Sequence, residues 1–236
     1  MRYVELRRHT DNDGDRLTPL GVADAEMIGR DRLHPPYAAF VSTGAARATQ
    51  MLEILRHAAG QDDTPITSAP GLRSSVEDRW RDASRAAGKG ADLVAIQAVD
   101  PDLVERESVL LGSALRQVME QLPDSSRALV VGHSPTNEAA VLGLAGRVVP
   151  PLGKGQGVLL IEEGGDYLAE PLDSDGGELF PPAAMTMFGA CAGEPRGCQL
   201  SCQPVAAAAD CDPVSSASAA GPLRRRQPGR SLPHTG

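Results

Sequence analysis

The sequence predicts an α/β protein in which parallel strands are buried in a sheet and the chemistry gathers at their carboxyl ends. Two continuous apolar runs, residues 37–42 and 128–132, have the composition of strands covered on both faces. Segments with apolar residues at helical spacing separate the strands. Basic residues and histidines follow three of the strands directly: Arg8 and His9, then Arg47, then His133. Open α/β sheets bind ligands at that end of their strands.

The first strand is Tyr3-Val4-Glu5-Leu6, an alternating run that breaks into Arg7, Arg8, His9 and Thr10 at a sheet edge. Arginine presents a rigid fork matched to phosphate or carboxylate oxygens, and an adjacent histidine can serve as nucleophile, base or proton donor near neutral pH. Taken alone, an Arg-His pair says no more than a solvated loop start. Residues 11–16 form a polar loop with turn chemistry. Thr18 then caps a helix whose first position is Pro19, where a missing N–H is harmless. That helix runs to about Leu33 on an apolar face of Val22, Ala25, Ile28 and Leu33. His34-Pro35-Pro36 ends it, the strand 37–42 follows, and the next helix, from about Ala45 to Ala59, carries Arg47 in its first turn. Two arginines from two strand ends can converge on one anion.

Residues 60–72 hold a loop, a short strand around Ile66 and a Pro70-Gly71 turn. Ser74-Ser75-Val76-Glu77 has the form of a capping box opening a helix with the sole tryptophan, Trp80. Residues 86–100 read as a loop with a short helix. A firmer helix spans about Val104 to Leu122, with Val109, Leu110, Leu115, Val118, Met119 and Leu122 on its apolar side. After the strand 128–132, Gly132 permits close backbone approach and His133 stands at the strand tip. Ser134-Pro135 starts a helix whose free N–H groups favour an anion, and Gly146 marks its end. Residues 158–162 and 167–169, joined through Gly164-Gly165, predict a closing hairpin.

A composition of 41% hydrophobic and 23% charged residues suits one globular domain with an appendage, taken as residues 1–179 and 180–236. The latter segment turns to Pro, Ala, Ser, Gly and an arginine triplet without periodicity, and is expected to be a disordered low-complexity tail. All four cysteines, Cys191, Cys198, Cys202 and Cys211, fall in it, and no two form the C-x₂-C pair of a zinc site. Aromatics at 3% argue against stacking platforms for single-stranded nucleic acid. The formal net charge is −8, with five arginines against three acids from Pro181 onward, so the acidity lies in the body. Such a body repels nucleic acid and anionic membranes, and any bound anion has to be held by a local arginine cluster. Neither a run of about 18 apolar residues nor a signal-peptide core is present, and a cytoplasmic protein is expected. Oligomeric state leaves no mark on the sequence.

Arg8-His9, Leu17-Thr18-Pro19-Leu20-Gly21, Ser42-x₄-Arg47-Ala48-x-Gln50 and Val130-Val131-Gly132-His133-Ser134-Pro135 occur in that order. Over about residues 1–172 this resembles the histidine phosphatase superfamily, also called phosphoglycerate-mutase-like, and most of all its short SixA-type branch. The resemblance implies a three-layer α/β/α sandwich with a mostly parallel central sheet. It implies that His9 is the nucleophile, that Arg8 and Arg47 hold the phosphoryl oxygens, and that His133 donates to them, with Thr10 and Ser134 beside the substrate. Water would then hydrolyse the phosphohistidine with neither metal nor organic cofactor. The substrate would be a phosphorylated small molecule or a phosphohistidine protein. Where many relatives carry a glutamate after a Leu-Arg pair, Leu72-Arg73 is followed by Ser74, so the proton donor is sought one turn later, at Glu77 or Asp78, with Asp13, Asp15 and Glu138 behind them. Two other readings are a phospho-ligand-binding module without turnover and a mutase-type phosphotransferase; the mutase branch resembles longer chains.

Overall fold

The computed structural model describes residues 1–172. The expected boundary at 179, the tail and its four cysteines lie outside the described residues. Strand β1 spans Arg2–Arg8, and the polar loop after it closes on itself as a two-residue ribbon, β2 (Asn12–Asp13) with β3 (Arg16–Leu17). Helix α1 (Pro19–Asp31) starts as expected, with the Thr18 hydroxyl accepting from the Gly21 N–H. Strand β4 (Ala39–Ser42), helix α2 (Ala46–Ala58), strand β5 (Ile66–Ser68) and a 3₁₀ turn (Pro70–Leu72) follow. Three helices come next: α3 (Glu77–Ala87), α4 (Leu93–Val99) and α5 (Pro101–Glu120). Strand β6 (Arg127–Gly132), helix α6 (Thr136–Ala145) and the hairpin β7 (Gly157–Glu163) and β8 (Asp166–Pro171) complete the fold.

The six-stranded sheet has the order β5-β4-β6-β1-β7-β8; the first four strands are parallel and the hairpin is antiparallel. The chain steps outward from β1 to β4 to β5 through α1 and α2, then returns to β6 through α3, α4 and α5. Right-handed crossovers in opposite directions place those two groups of helices on opposite faces. Two cores result. Val4, Leu6, Val41 and Val130 meet α3 to α6, while Phe40, Leu129 and Val131 meet α1 and α2. The three-layer α/β/α fold class is therefore as the resemblance implied, and no helix among the described residues is long and apolar enough to cross a membrane.

Two local expectations fail for identifiable reasons. The proposed capping box does not form: α3 has no side-chain cap, Ser74 accepts from the Val76 N–H, and Glu77 turns back to the Arg73 Nε at 2.5 Å. Helix α5 begins three residues early, because Asp100 caps it and Pro101 takes its first position. Its buried stripe runs through Leu103, Val104, Leu111, Leu115, Val118 and Met119, a helical face that leaves Val109 and Leu110 on the other side, each 62% exposed.

Alternation along β1 buries two charges on the α1 and α2 side. Glu5 and Arg7 are both fully buried and paired at 2.7 Å. The Tyr37 hydroxyl donates to the second Glu5 oxygen at 2.7 Å, and Arg7 donates to the carbonyls of Gly155 and Arg32. Arg7, one of the arginines read as site-directed, thus ties the 152–156 loop and the end of α1 to the central strand. Replacing Glu5 with glutamine is expected to lower the unfolding free energy by about 3–5 kcal/mol, since it leaves the Arg7 charge buried without its carboxylate. Urea denaturation reads this directly; a loss below about 1 kcal/mol, the range of an exposed pair, would contradict it.

Candidate active site

The carboxyl ends of β1, β4 and β6 deliver the groups that form the site. Asn137 locks two of these ends together: its side chain accepts from the His133 N–H at 3.1 Å and donates to the Arg7 carbonyl at 3.1 Å. A Cβ at Gly132 would stand 2.3 Å from the Asn137 Oδ1, so the close approach expected of this glycine is a requirement of the lock. The His9 N–H donates to the Gly132 carbonyl, which sets His9 against the tip of β6.

His9 is 5% exposed, and its Nδ1 lies 2.7 Å from the Thr10 carbonyl. A carbonyl only accepts, so Nδ1 carries the hydrogen and Nε2 keeps its lone pair. The Arg47 Nε donates to that lone pair at 3.2 Å, its Nη2 donates to His133 Nδ1 at 3.2 Å, and its Nη1 donates to Asp15 at 2.9 Å. Because His133 accepts at Nδ1, its Nε2 bears the hydrogen and donates to the Thr43 hydroxyl at 2.9 Å. The two imidazoles meet edge to face, 5.1 Å between centroids. Arg8 reaches the Leu152 carbonyl through Nη1 at 2.6 Å, while its buried Nε meets no hydrogen-bond partner among the described residues.

Burial, reinforced by Lys154, Arg47 and Arg8 against the opposing Thr10 carbonyl, moves His9 from the ordinary 6.5 down to about 4. Burial followed by the charge of Arg47 takes His133 to about 3. Both rings are therefore neutral at physiological pH. Unfolded histidines would take protons below 6.5, so stability is complete above that pH and declines as pH falls through about 4. For the same reason kcat/KM, corrected for the ionisation of the ester near about 6, is expected to hold down to pH 5 and fall only as His9 protonates near 4. An acid limb set by the enzyme at 6 to 7 would contradict this environment for His9.

Arg8, His9, Arg47 and His133 converge on the strand ends, and five other candidates sit differently. Thr10 is fully buried and donates its hydroxyl to the Gly21 carbonyl at 2.7 Å, so its side chain fastens α1 to the strand end and faces no ligand. Ser134 lines the cleft but gives its hydroxyl to Glu138 at 2.5 Å. Glu77 also lines the cleft, yet its ion pair with Arg73 holds its carboxyl below the usual range, the reverse of what a proton donor needs. Asp78 is 88% exposed and paired with Arg81. Asp15 is lowered too, by the Ala46 and Arg47 N–H groups and the Arg47 charge outweighing its partial burial.

Lys154 was not legible as a site residue. Its ammonium contacts Asn12 and the Thr10 carbonyl beside His9. The only cue was a lysine between glycines in Gly153-Lys154-Gly155, and nothing in the sequence says that this loop returns to β1. In front of His133 opens a cleft of about 310 Å³ lined by Arg47, Arg73, Glu77, Trp80 and Ser134 among others. Among the described residues no group of three or more His, Cys, Asp or Glu is placed to hold a metal ion. A lone-pair nitrogen ringed by fixed cations can attack an electrophile whose charge those cations neutralise.

No family model and no curated protein matches the sequence. Solved structures do. A phosphoglycerate mutase from Bacillus anthracis aligns at TM-score 0.56 and 16% identity, over 72% of this chain and 91% of that one. A phosphoserine phosphatase from Entamoeba histolytica, solved with 3-phosphoglyceric acid, aligns at 0.56 and 13%, over 74% and 98%. YhfR of Bacillus stearothermophilus aligns at 0.52 and 17%, over 72% and 96%. Together with the parallel sheet and the strand-end cluster, these likenesses identify the chain as having the histidine phosphatase, or phosphoglycerate-mutase-like, fold.

Proposed function

We propose that this protein is a metal-independent phosphatase that hydrolyses a phosphorylated small molecule through a phosphoryl group carried on His9. The observation that carries the reading is the His9 imidazole: neutral, hydrogen-bonded through Nδ1 to a carbonyl, and presenting a lone pair on Nε2 to Arg47. Arg8 and Arg47 hold the oxygens of the transferring group, while His133, whose one hydrogen goes to Thr43, fixes the Arg47 fork through its Nδ1 lone pair. Arg47 exchanges its contact with His9 for one with phosphate, which frees Nε2 to attack in line with the leaving oxygen. The 310 Å³ cleft suits a metabolite-sized leaving group. Names among the structural neighbours, a phosphoserine phosphatase and a phosphoglycerate mutase, support a small phosphorylated substrate.

Phosphohistidine, the substrate of the SixA-type branch, belongs in the test because Ser74 follows Leu72-Arg73 where an acidic residue is usual. Turnover is to be measured on phosphate esters and a phosphohistidine peptide, with and without EDTA. Release of phosphate that survives chelation is expected. Tight phosphate binding with no turnover on any substrate would replace this reading with that of a phospho-ligand-binding module.

A further inference from the structure

The geometry points to Ser134 and Glu138 as the proton-delivery pair of this site: Ser134 touches the leaving oxygen, and Glu138, acting through it, stores the proton. This rests on the phosphatase reading. Phosphoryl transfer to His9 expels an alkoxide or phenoxide that needs a proton, and Glu77 in the cleft lining, like Asp15 and Asp78 on arginines of that lining, is tied up. Glu77 is paired with Arg73, Asp15 with Arg47 and Asp78 with Arg81.

Glu138 differs from all three. It is 2% exposed, on the first turn of α6, and packs between the tip of β6 and the 152–156 loop. One oxygen meets the Ser134 hydroxyl at 2.5 Å and the Leu152 N–H at 2.8 Å; the other is buried without a hydrogen-bond partner among the described residues. An ionised carboxylate would hold a poorly compensated charge there, whereas a carboxylic acid is at ease. Burial accordingly raises the Glu138 carboxyl above the usual range, against the opposing pull of Ser134, Leu152 and Arg8. Ser134 is its outlet, because it lines the cleft next to His133. When Glu138 is protonated, the short contact reverses. The acid donates to the serine oxygen, and the serine hydrogen turns to the cleft.

The chemistry balances over the two half-reactions. The His9 Nε2 lone pair forms the N–P bond as the P–O bond breaks and its electron pair stays on the leaving oxygen. That oxygen takes the Ser134 proton, Ser134 takes the Glu138 proton, and Glu138 is left as a carboxylate facing Arg8. In the second step water attacks phosphorus, and the N–P pair returns to Nε2. The proton lost by water passes through Ser134 back to Glu138.

The test compares Glu138→Gln and Ser134→Ala with the parent on phenyl phosphate and 4-nitrophenyl phosphate. The nitrophenolate needs no proton to leave and so also reports a folded, competent site. In both variants kcat/KM, which covers only the steps up to leaving-group release, is expected to fall about 10²-fold on phenyl phosphate and to change little on 4-nitrophenyl phosphate. Equal loss on both esters, no loss on either, or a parent enzyme confined to the activated ester would overturn the assignment. Parent turnover without a phosphoryl group trapped on His9, or no turnover at all, would instead reject the underlying phosphatase reading, and the pair with it.

Discussion

Replacing His9 with alanine is expected to lower turnover of every phosphate ester by about 10⁴-fold or more while leaving the affinity for inorganic phosphate within a few-fold. The separation follows from the geometry. His9 contributes the Nε2 lone pair, but the charges that hold an oxyanion belong to Arg8, Arg47 and Lys154, which are anchored elsewhere, on Leu152, Asp15 and Asn12. Among the described residues the ring's side-chain hydrogen bonds are with Thr10 and Arg47, so its loss does not undo the β1 and β6 tips, which Asn137 holds. Calorimetric titration with phosphate alongside single-turnover kinetics distinguishes the cases. Activity within tenfold of the parent would show that another group attacks phosphorus.

Arg47→Ala is expected to reduce kcat/KM by about 10³-fold, the scale of an arginine that stabilises charge on a transferring phosphoryl group. Its guanidinium spans His9, His133 and Asp15. Lysine should restore little, because an ammonium cannot offer three donors in a planar fork. Removing this charge also relieves the pressure on both histidines, so their proton affinities should rise from the low values set by burial and Arg47 together. Histidine NMR titration of the variant measures that shift, and full rescue by lysine would reduce Arg47 to a point charge.

The parts of this fold that follow from local chemistry were legible. The Thr18 cap, the Pro19 helix start, the strand ending in Gly132 and the terminal hairpin each depend on residues within a few positions of one another. So was the convergence of Arg8, Arg47 and His133, because three neighbouring parallel strands must bring their carboxyl ends to one edge. What the sequence concealed depends on distant partners. Glu5 looked like the polar member of an alternating strand, yet a central strand has no solvent face, and Tyr37 and Arg7 satisfy it in the core. Thr10 stood beside the nucleophile in sequence, but its side chain points away, since neighbouring residues of an extended chain face opposite sides. Lys154 joined the site, and Glu138, a lesser candidate in the sequence, came to be buried beside it, because the loop after α6 folds back along β1, where the Arg8 N–H donates to the Gln156 carbonyl and the Gly155 N–H to that of Arg8. Val109 and Leu110 are apolar, but helical geometry turns them away from the face of Val104, Leu111, Leu115 and Val118, and they are exposed.

The most direct measurement is rapid-quench trapping of the parent enzyme with a phosphate ester, followed by mass spectrometry under mildly alkaline conditions that preserve phosphohistidine. The account predicts a phosphoryl group on the His9 peptide that forms and decays at rates consistent with turnover. Turnover with His9 unmodified, or with the phosphoryl group on His133, would contradict it.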